Sequence, residues 1–342
     1  MAQNRATIKD VARQAGVSIS VVSYVLNRTA GKTITDATRE RVFAAASELD
    51  YTPNAIARGM RTKRAMSIGI MSFWDTGDTV FSELLRGITH ITNQRHYDVV
   101  FSSQDQQQGE YRYIELYKQR RIDGIILISP HEGDARRFDE QAHINIIKAH
   151  RIPAIIINGY TQDNSLSYIY FDYHQSGYLA TQYLLTLGHR SIGFLQQAEG
   201  DPCQHQAKQR LQGYHDALTD TGLAIDPALI YRYADIASLL DAVQSGHGPT
   251  AVVAVKSHTA WQLLRQAVLQ HIRIPDQLSV IAANTEAYSS YLYPALTTVR
   301  LPMEDIGKQA AAMLLDTIAE TCVQSTLTLP NTVVVRESCR CC

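Results

Sequence analysis

Along the first fifty residues the apolar positions fall at helical spacing in three short bursts. Ile8, Val11, Ala12 and Ala15 share one helix face, as do Val22, Val25 and Leu26, and as do Val42, Ala45, Ala46 and Leu49. The boundary residues agree with that reading. Thr7-x-x-Asp10 has the form of a capping box with Asp in place of the usual Glu. Gly16 suits the left-handed residue that ends a helix, Ser18 suits the next N-cap, and Thr35 opens a third helix. Two short helices joined by a tight turn, with a third packed on them, make a helix-turn-helix, the unit whose second helix enters the DNA major groove.

From Ser67 the pattern changes. Short apolar runs at 67–73, 99–102, 124–128, 154–157, 191–195, 251–255 and 278–282 alternate with amphipathic stretches such as 81–95, 111–120 and 173–187. Strands alternating with helices predict parallel α/β sheets, and there are enough units for two of them. The expected fold class is therefore α/β, with a three-helix head before it.

Charge separates the same two parts. Residues 1–64 hold 11 Lys and Arg against 5 Asp and Glu, a net charge of +6, while the remainder holds 21 against 28, a net charge of −7. A basic head on an acidic body suits phosphate contact by one end. The 342 residues, 45% of them hydrophobic, can bury more than one core. There is no run of about 18 apolar residues to cross a membrane and no apolar core of a signal peptide near the start, so a cytoplasmic location without membrane contact is expected. The five cysteines, Cys203, Cys322, Cys339, Cys341 and Cys342, lack framework spacing and read as free thiols. Cys339-Arg-Cys-Cys342 leaves metal binding or oxidation open, although no histidine lies near it in sequence.

Candidate base-reading residues are Ile19, Ser20 and Tyr24, at or near the exposed face of the second helix. Ile19 can meet a thymine methyl, Ser20 either kind of base edge, and Tyr24 a base or a phosphate. Thr7, Ser18, Asn27, Arg28 and Thr33 suit backbone contacts, which position a domain on DNA without specifying sequence. Enzyme readings fail on spacing. Gly31-Lys-Thr33 ends like a phosphate loop, but the glycine required five residues earlier is Leu26. There is no G-x-G-x-x-G after a strand, no G-x-S-x-G and no H-E-x-x-H. No cofactor is implied.

Taken in order, several stretches resemble the lactose-repressor (LacI-type) family of bacterial transcription regulators. They are Thr7 to Ser18, Val22-Ser-Tyr-Val-Leu-Asn27, Tyr51-x-Pro-Asn-Ala-Ile-Ala-Arg58, Leu84-Leu-Arg-Gly87, Arg121-Ile-Asp-Gly124, Leu187-Gly-His-Arg190, Pro294-Ala-Leu-Thr-Thr-Val299 and Val335-Arg-Glu-Ser338. Together they span nearly the whole chain. The resemblance implies a DNA-binding domain at 1–52 and a hinge helix or linker at 53–64. It implies a periplasmic-binding-protein-like core at 65–342, with one subdomain at about 65–159 and 302–323 and the other at about 160–301 and 324–338. In such a hinge Met60 would wedge a minor-groove base step, and Asn54 and Arg58 would touch the backbone; Gly59 costs that helix about 1 kcal/mol relative to alanine. Two half-sites need two heads, so a homodimer on a pseudo-palindromic operator follows, with repression as the expected outcome.

An effector would sit at the carboxyl ends of the strands. Here the chain departs from the sugar-binding pattern of the family. Lys256-Ser257 stands where an Asn-Asp pair is usual, Asn284-Thr285 where an Asp pair is usual, and Asp78-Thr-Val-Phe81 in place of Asn-Pro and two aromatics. The expected effector residues are Phe81, Tyr160, Asp172, Lys208, Lys256, Asn284 and Tyr288. Lys208 and Lys256 point to an anionic small molecule, Lys being a workable phosphate binder as a point charge. Trp74 is equally able to stack on a ligand or to pack. The alternative is a regulator without an effector, or one driven by a protein partner, with a degenerate cleft.

Overall fold

The computed structural model describes residues 6–26, 31–51, 64–72, 79–103, 111–129, 138–161, 163, 165–197, 204–321 and 324–342. The chain forms two compact units, Met1–Ala65 and Met66–Cys342. Asn27, Arg28, Asn54, Arg58, Gly59, Met60, Trp74, Asp78, Cys203 and Cys322 lie outside the described residues.

In the first unit, helices α1 (Ile8–Ala15), α2 (Ile19–Leu26) and α3 (Asp36–Glu48) close on one small core. Val11, Val22, Val25 and Val42 are at most 1% exposed. They are the positions at which the three helical periods coincide, and burying such side chains stabilises by roughly 1.5–3 kcal/mol each. Gly16 has φ 65°, and the chain reverses there through a hydrogen bond from Val17 N–H to the Ala12 carbonyl.

The second unit holds two six-stranded sheets among the described residues. The first has the order β11 (Thr326–Thr328), β5 (Ser167–Tyr170), β4 (Ala154–Ile157), β3 (Ile125–Ile128), β1 (Ser67–Ser72), β2 (Asp98–Ser103), all parallel. The second has the order β12 (Thr332–Val334), β10 (Thr297–Arg300), β9 (Ser279–Ala282), β8 (Ala251–Ala254), β6 (Ile192–Leu195), β7 (Ile230–Tyr231), parallel except for the edge strand β12. Both sheets are covered on both faces, which is why β3 reads Ile-Ile-Leu-Ile with every residue buried. The helices α4 (Thr79–Gln94), α5 (Arg112–Lys118), α6 (Glu140–His150) and α11 (Met303–Ile318) serve the first sheet. Helices α7 (Tyr173–Thr186), α8 (Gln204–Asp220), α9 (Ile236–Gln244) and α10 (Ser257–Leu269) serve the second.

Sheet membership moves two expected boundaries. Strand β5 pairs in register with β4, Ile156 opposite Tyr168, and β11 pairs with β5, Leu327 opposite Ile169. Residues 160–170 and 324–328 therefore belong to the first subdomain, and the chain crosses after Tyr170 and after Thr328 rather than near 160 and 324. Backbone pairing decides this, because a strand belongs to the sheet whose ladder it completes.

Each subdomain is braced by two helices that cross at a glycine pair. A Cβ on Gly87 of α4 would lie 1.9 Å from the Glu304 carbonyl oxygen, and one on Gly307 of α11 would lie 2.1 Å from that of Leu84. In the other subdomain a Cβ on Gly177 of α7 would lie 2.0 Å from the Arg210 carbonyl oxygen, and one on Gly213 of α8 would lie 2.0 Å from that of His174. The backbones approach closely because neither side carries a side chain at the crossing, which gives Leu84-Leu-Arg-Gly87 and Leu211-Gln-Gly-Tyr214 a common physical purpose.

Candidate nucleic-acid interface and effector cleft

The head is built so that one face of its second helix is left outside its small core. The Asp10 carboxylate accepts from Thr7 N–H at 3.0 Å and from the Thr7 hydroxyl at 2.7 Å, fixing the start of α1, and pairs with Arg13 at 2.8 Å. These partners hold Asp10 below the usual carboxylate range, the Thr7 hydroxyl foremost. Ser18 Oγ accepts the Val21 amide at 3.3 Å as the N-cap of α2. The side chains of Thr7 and Ser18, both expected to touch phosphates, are thus engaged in helix caps. With Val22 and Val25 buried, Ile19 is left 43% exposed and Ser20 exposed beside it. An apolar side chain standing in water on a two-turn helix costs solvation unless another surface covers it. Tyr24 is half-buried, with Lys32 Nζ 5.2 Å from its ring centre. The structure sets Lys32, one of the basic residues of the head, beside Tyr24. Thr33 is exposed next to it.

In the core, a parallel sheet collects the carboxyl ends of its strands along one edge. On the first sheet that edge carries Ser72, Ser129 and Asn158; on the second it carries Gln196, Gln197, Lys256 and Asn284. Two contacts join the two sides, and a third braces Arg210 within its own subdomain. The Tyr173 hydroxyl donates to Asn158 Oδ1 at 3.2 Å, the Arg210 guanidinium carbon lies 5.0 Å from the Tyr173 ring centre, and Arg210 Nε donates to Ser176 Oγ at 3.2 Å. Arg210 is 3% exposed.

The expected effector residues divide. Lys256 ends β8 as the N-cap residue of α10, partly buried at the edge. Asn284 sits opposite, but its side chain is engaged: Oδ1 accepts the Ser257 amide and Nδ2 donates to Glu286 at 3.2 Å, clasping the ends of β8 and β9 together. Tyr160 lies in the turn after β4, 48% exposed, its hydroxyl donating to the Phe138 carbonyl at 3.1 Å. That turn is pinned by Glu140, a fully buried carboxylate that accepts from the Ser129 hydroxyl at 2.6 Å and from the Tyr160 and Thr161 amides at 3.0 and 2.7 Å. Three charge-assisted bonds offset its burial.

Of the other four, Phe81, Lys208 and Tyr288 face other surroundings, and Asp172 immediately precedes Tyr173 at the junction. Phe81 is 3% exposed in the core of the first subdomain, its ring 5.7 Å from that of Phe101, so it packs rather than lining a cleft. Asp172 is the N-cap of α7; its carboxylate accepts the Gln175 amide at 2.7 Å, and its carbonyl accepts from Asn331 Nδ2 at 2.7 Å, tying the first crossover to the third. Lys208 is exposed on α8, two residues and about half a turn from Arg210, so it faces away from the junction. Tyr288 packs toward Trp261 of α10, with ring centres 6.3 Å apart. A cavity of about 400 Å³ at the second and third crossovers, lined among others by Arg300, Glu304, Lys308 and Thr332, includes none of the expected effector residues.

Arg210 is the residue that sequence reasoning missed, and helical spacing held the signal. It stands three residues before Gly213 and four before the fully buried Tyr214, on the packed face of α8. Among the described residues no cluster of His, Cys, Asp and Glu could hold a metal ion, and no helix is long and apolar enough to cross a membrane.

A basic helix-turn-helix head joined to a two-sheet core with a polar junction defines a DNA-binding regulator of the kind that senses small molecules. Residues 7–54 match the family of bacterial regulatory proteins described as lacI, and residues 181–339 match the periplasmic binding protein-like domain. The ribose operon repressor of Haemophilus influenzae is 30% identical over 343 residues, covering 97% of this chain and 98% of the relative. Catabolite control protein A of Priestia megaterium is 29% identical over 339 residues, covering 97% and 98%. The solved lac repressor dimer, bound to operator and the anti-inducer ONPF, shares the fold with a TM-score of 0.74 at 24% identity, over 98% of this chain and all of that one. The chain belongs to the LacI family of bacterial transcription regulators.

Proposed function

We propose that this protein represses transcription from a pseudo-palindromic operator as a homodimer in the cytoplasm, and that an anionic small molecule held between the two sheets changes its hold on DNA. Arg210 carries the effector reading. A buried guanidinium, set over the Tyr173 ring and oriented by Ser176, stands where the first subdomain touches α8. Planar and always charged, it suits a carboxylate or phosphate. Lys256 adds a second cation at the edge, and Tyr160 offers an exposed ring there. Gln197 Oε1, past the end of β6, is buried without a hydrogen-bond partner among the described residues. A ligand donor would satisfy it.

The dimer reading rests on α10 and the turn after β9. Trp261, Val268 and Leu269 are 42%, 64% and 70% exposed, and Tyr291 and Tyr293 are 86% and 92% exposed. Trp261 and Tyr288 join the two segments into one apolar surface, and such a surface on a soluble protein marks an interaction site. For base reading, Ile19, Ser20 and Tyr24 are the proposed contacts, with Lys32 and Thr33 on the backbone.

The test is thermal unfolding of the full chain against neutral sugars, sugar phosphates, nucleotides and organic acids. A compound at about 100 times its Kd adds roughly 2.7 kcal/mol, enough to raise the midpoint by a few degrees. A shift with an acidic or phosphorylated compound that Lys256→Glu abolishes supports the anionic reading. A shift confined to neutral sugars overturns it, and no shift favours a regulator without an effector.

A further inference from the structure

The segment 336–342 serves neither the head nor the junction. It runs as a strap across the amino-terminal ends of the second sheet, the end away from the effector edge. Val280 N–H donates to the Ser338 carbonyl at 2.8 Å, Ser338 Oγ donates to the Val280 carbonyl at 2.6 Å, and Arg340 N–H donates to Ser279 Oγ at 3.1 Å. Its far end is latched to the turn Leu187-Gly-His-Arg190. Cys342 N–H donates to the Leu187 carbonyl at 2.9 Å, and a Cβ on Gly188 would lie 3.8 Å from that of Cys342. His189 is buried, with Nδ1 2.9 Å from Thr250 Oγ1 and Nε2 3.1 Å from the Arg340 carbonyl. A carbonyl only accepts, so Nε2 carries the proton.

Three thiols lie on this strap in two environments. Cys339 is tucked against the sheet, its thiol 3.2 Å from the Val280 carbonyl, and burial pushes it up to about 11, so it stays protonated and unreactive. Cys341 and Cys342 are adjacent, free and exposed. They sit on the two residues that follow the His189 latch, so any chemistry that couples them acts on the latch.

We propose that Cys341 and Cys342 form a thiol-oxidation site for low-molecular-weight disulfides, and that closing the Cys341–Cys342 bond releases the strap from the Leu187–Arg190 turn. The thiolate of one cysteine attacks a sulfur of oxidised glutathione, forming a mixed disulfide and expelling one glutathione thiolate. The thiolate of the other attacks the protein sulfur of that bond, closing the ring and expelling the second glutathione. Two protein thiols are oxidised, one glutathione disulfide is reduced to two glutathiones, and the two thiol protons pass to the leaving thiolates. The eight-membered ring brings both side chains to one side of the chain and turns the peptide between them. Cys342 then cannot keep both its amide on Leu187 and its Cβ against Gly188, and the Arg340 carbonyl is drawn off His189.

The experiment treats the full reduced chain with oxidised glutathione, maps thiols by mass after cleavage at Glu337, and follows amide exchange of residues 184–192. The expected result is loss of two hydrogens from the fragment beginning at Ser338, with Cys339 still alkylatable. Exchange of the turn amides should rise on the order of ten-fold, the factor that losing a hydrogen bond or two confers. Dithiothreitol should reverse both changes, and Cys341→Ser should show neither. A glutathione adduct that persists without ring closure overturns the proposal, as does a disulfide-linked pair of chains. A closed ring with unchanged exchange at 184–192 overturns the release.

Discussion

The guanidinium carbon of Arg210 sits over the Tyr173 ring, 5.0 Å from its centre, although the two residues belong to different helices and the ring itself packs in the core of the other subdomain. Tyr173 is the first residue of α7, just past the first crossover, and its hydroxyl reaches back to Asn158. A change in the angle between the subdomains therefore moves the surface on which Arg210 rests. A ligand that touches Arg210 is coupled to that angle by packing alone.

Arg210→Lys keeps the charge and loses both the guanidinium over the Tyr173 ring and the Nε donor to Ser176. A cation–π contact of this kind is worth about 1–2 kcal/mol when desolvated. The variant is expected to lose that much stability in urea unfolding and to lose the midpoint shift given by the wild-type effector. A full shift in Arg210→Lys would show that the effector does not use this residue.

Gly177→Ala sets two effects against each other. Alanine in place of a helical glycine gains about 1 kcal/mol of propensity. The new methyl, however, would sit 2.0 Å from the Arg210 carbonyl oxygen, and backbone cannot step aside as a side chain can. Overpacking of this kind costs about 1–3 kcal/mol or more, so the variant should be destabilised, and Gly87→Ala in the other subdomain likewise. Denaturant unfolding that finds either variant more stable would mean the helices can separate cheaply.

On the head, Lys32 and Ser20 should fail differently. A phosphate contact contributes about 0.9 to the slope of log affinity against log salt. Lys32→Ala removes one such contact from each of the two heads and is therefore expected to flatten that slope by about 1.8 while leaving the preferred sequence unchanged. Ser20→Ala should keep the slope and relax discrimination at one base pair in each half-site. Fluorescence anisotropy with operator variants at several salt concentrations separates the two.

His143 supplies a pH signature. It is fully buried, its Nδ1 3.0 Å from the Tyr113 hydroxyl, and burial pulls its pKa from 6.5 down to about 4 against the weaker upward pull of Asp139. The unfolded chain takes up this proton below about pH 6.5 and the folded chain only near pH 4. Stability from the neutral ring is thus fully present above about 6.5 and declines as pH falls toward 4. His143→Phe should be less stable at neutral pH by about 1 kcal/mol for the lost hydrogen bond. Between pH 6.5 and 4 it should lose less stability than wild type, as read by urea unfolding across that range.

The strands legible in the sequence are those with continuous apolar runs, the edge strand β2 among them, and the strands passed over are those without such a run. Strand β5 reads Ser-Tyr-Ile-Tyr, and β11 and β12 are edge strands whose residues are largely exposed or half-buried. Such edge strands bury too little to need an apolar run, so periodicity passes over them. Of the expected cleft residues, Lys256 lies at the strand ends and Tyr160 in the turn after β4, because each follows an apolar run that was itself legible. Phe81 lies in the core instead, because an aromatic serves a core as readily as a ligand.

By itself the sequence determined the three helices of the head, the parallel α/β character of the body and the membership in the family, since helical period, strand period and ordered motifs are local properties of the chain. Tertiary structure alone decided which strand completes which sheet, where the chain crosses between subdomains, and that Arg210 rather than Lys208 meets Tyr173. Those outcomes depend on which distant backbone supplies a hydrogen-bond partner and on which face of a helix is packed. Neither is written at any one position of the chain.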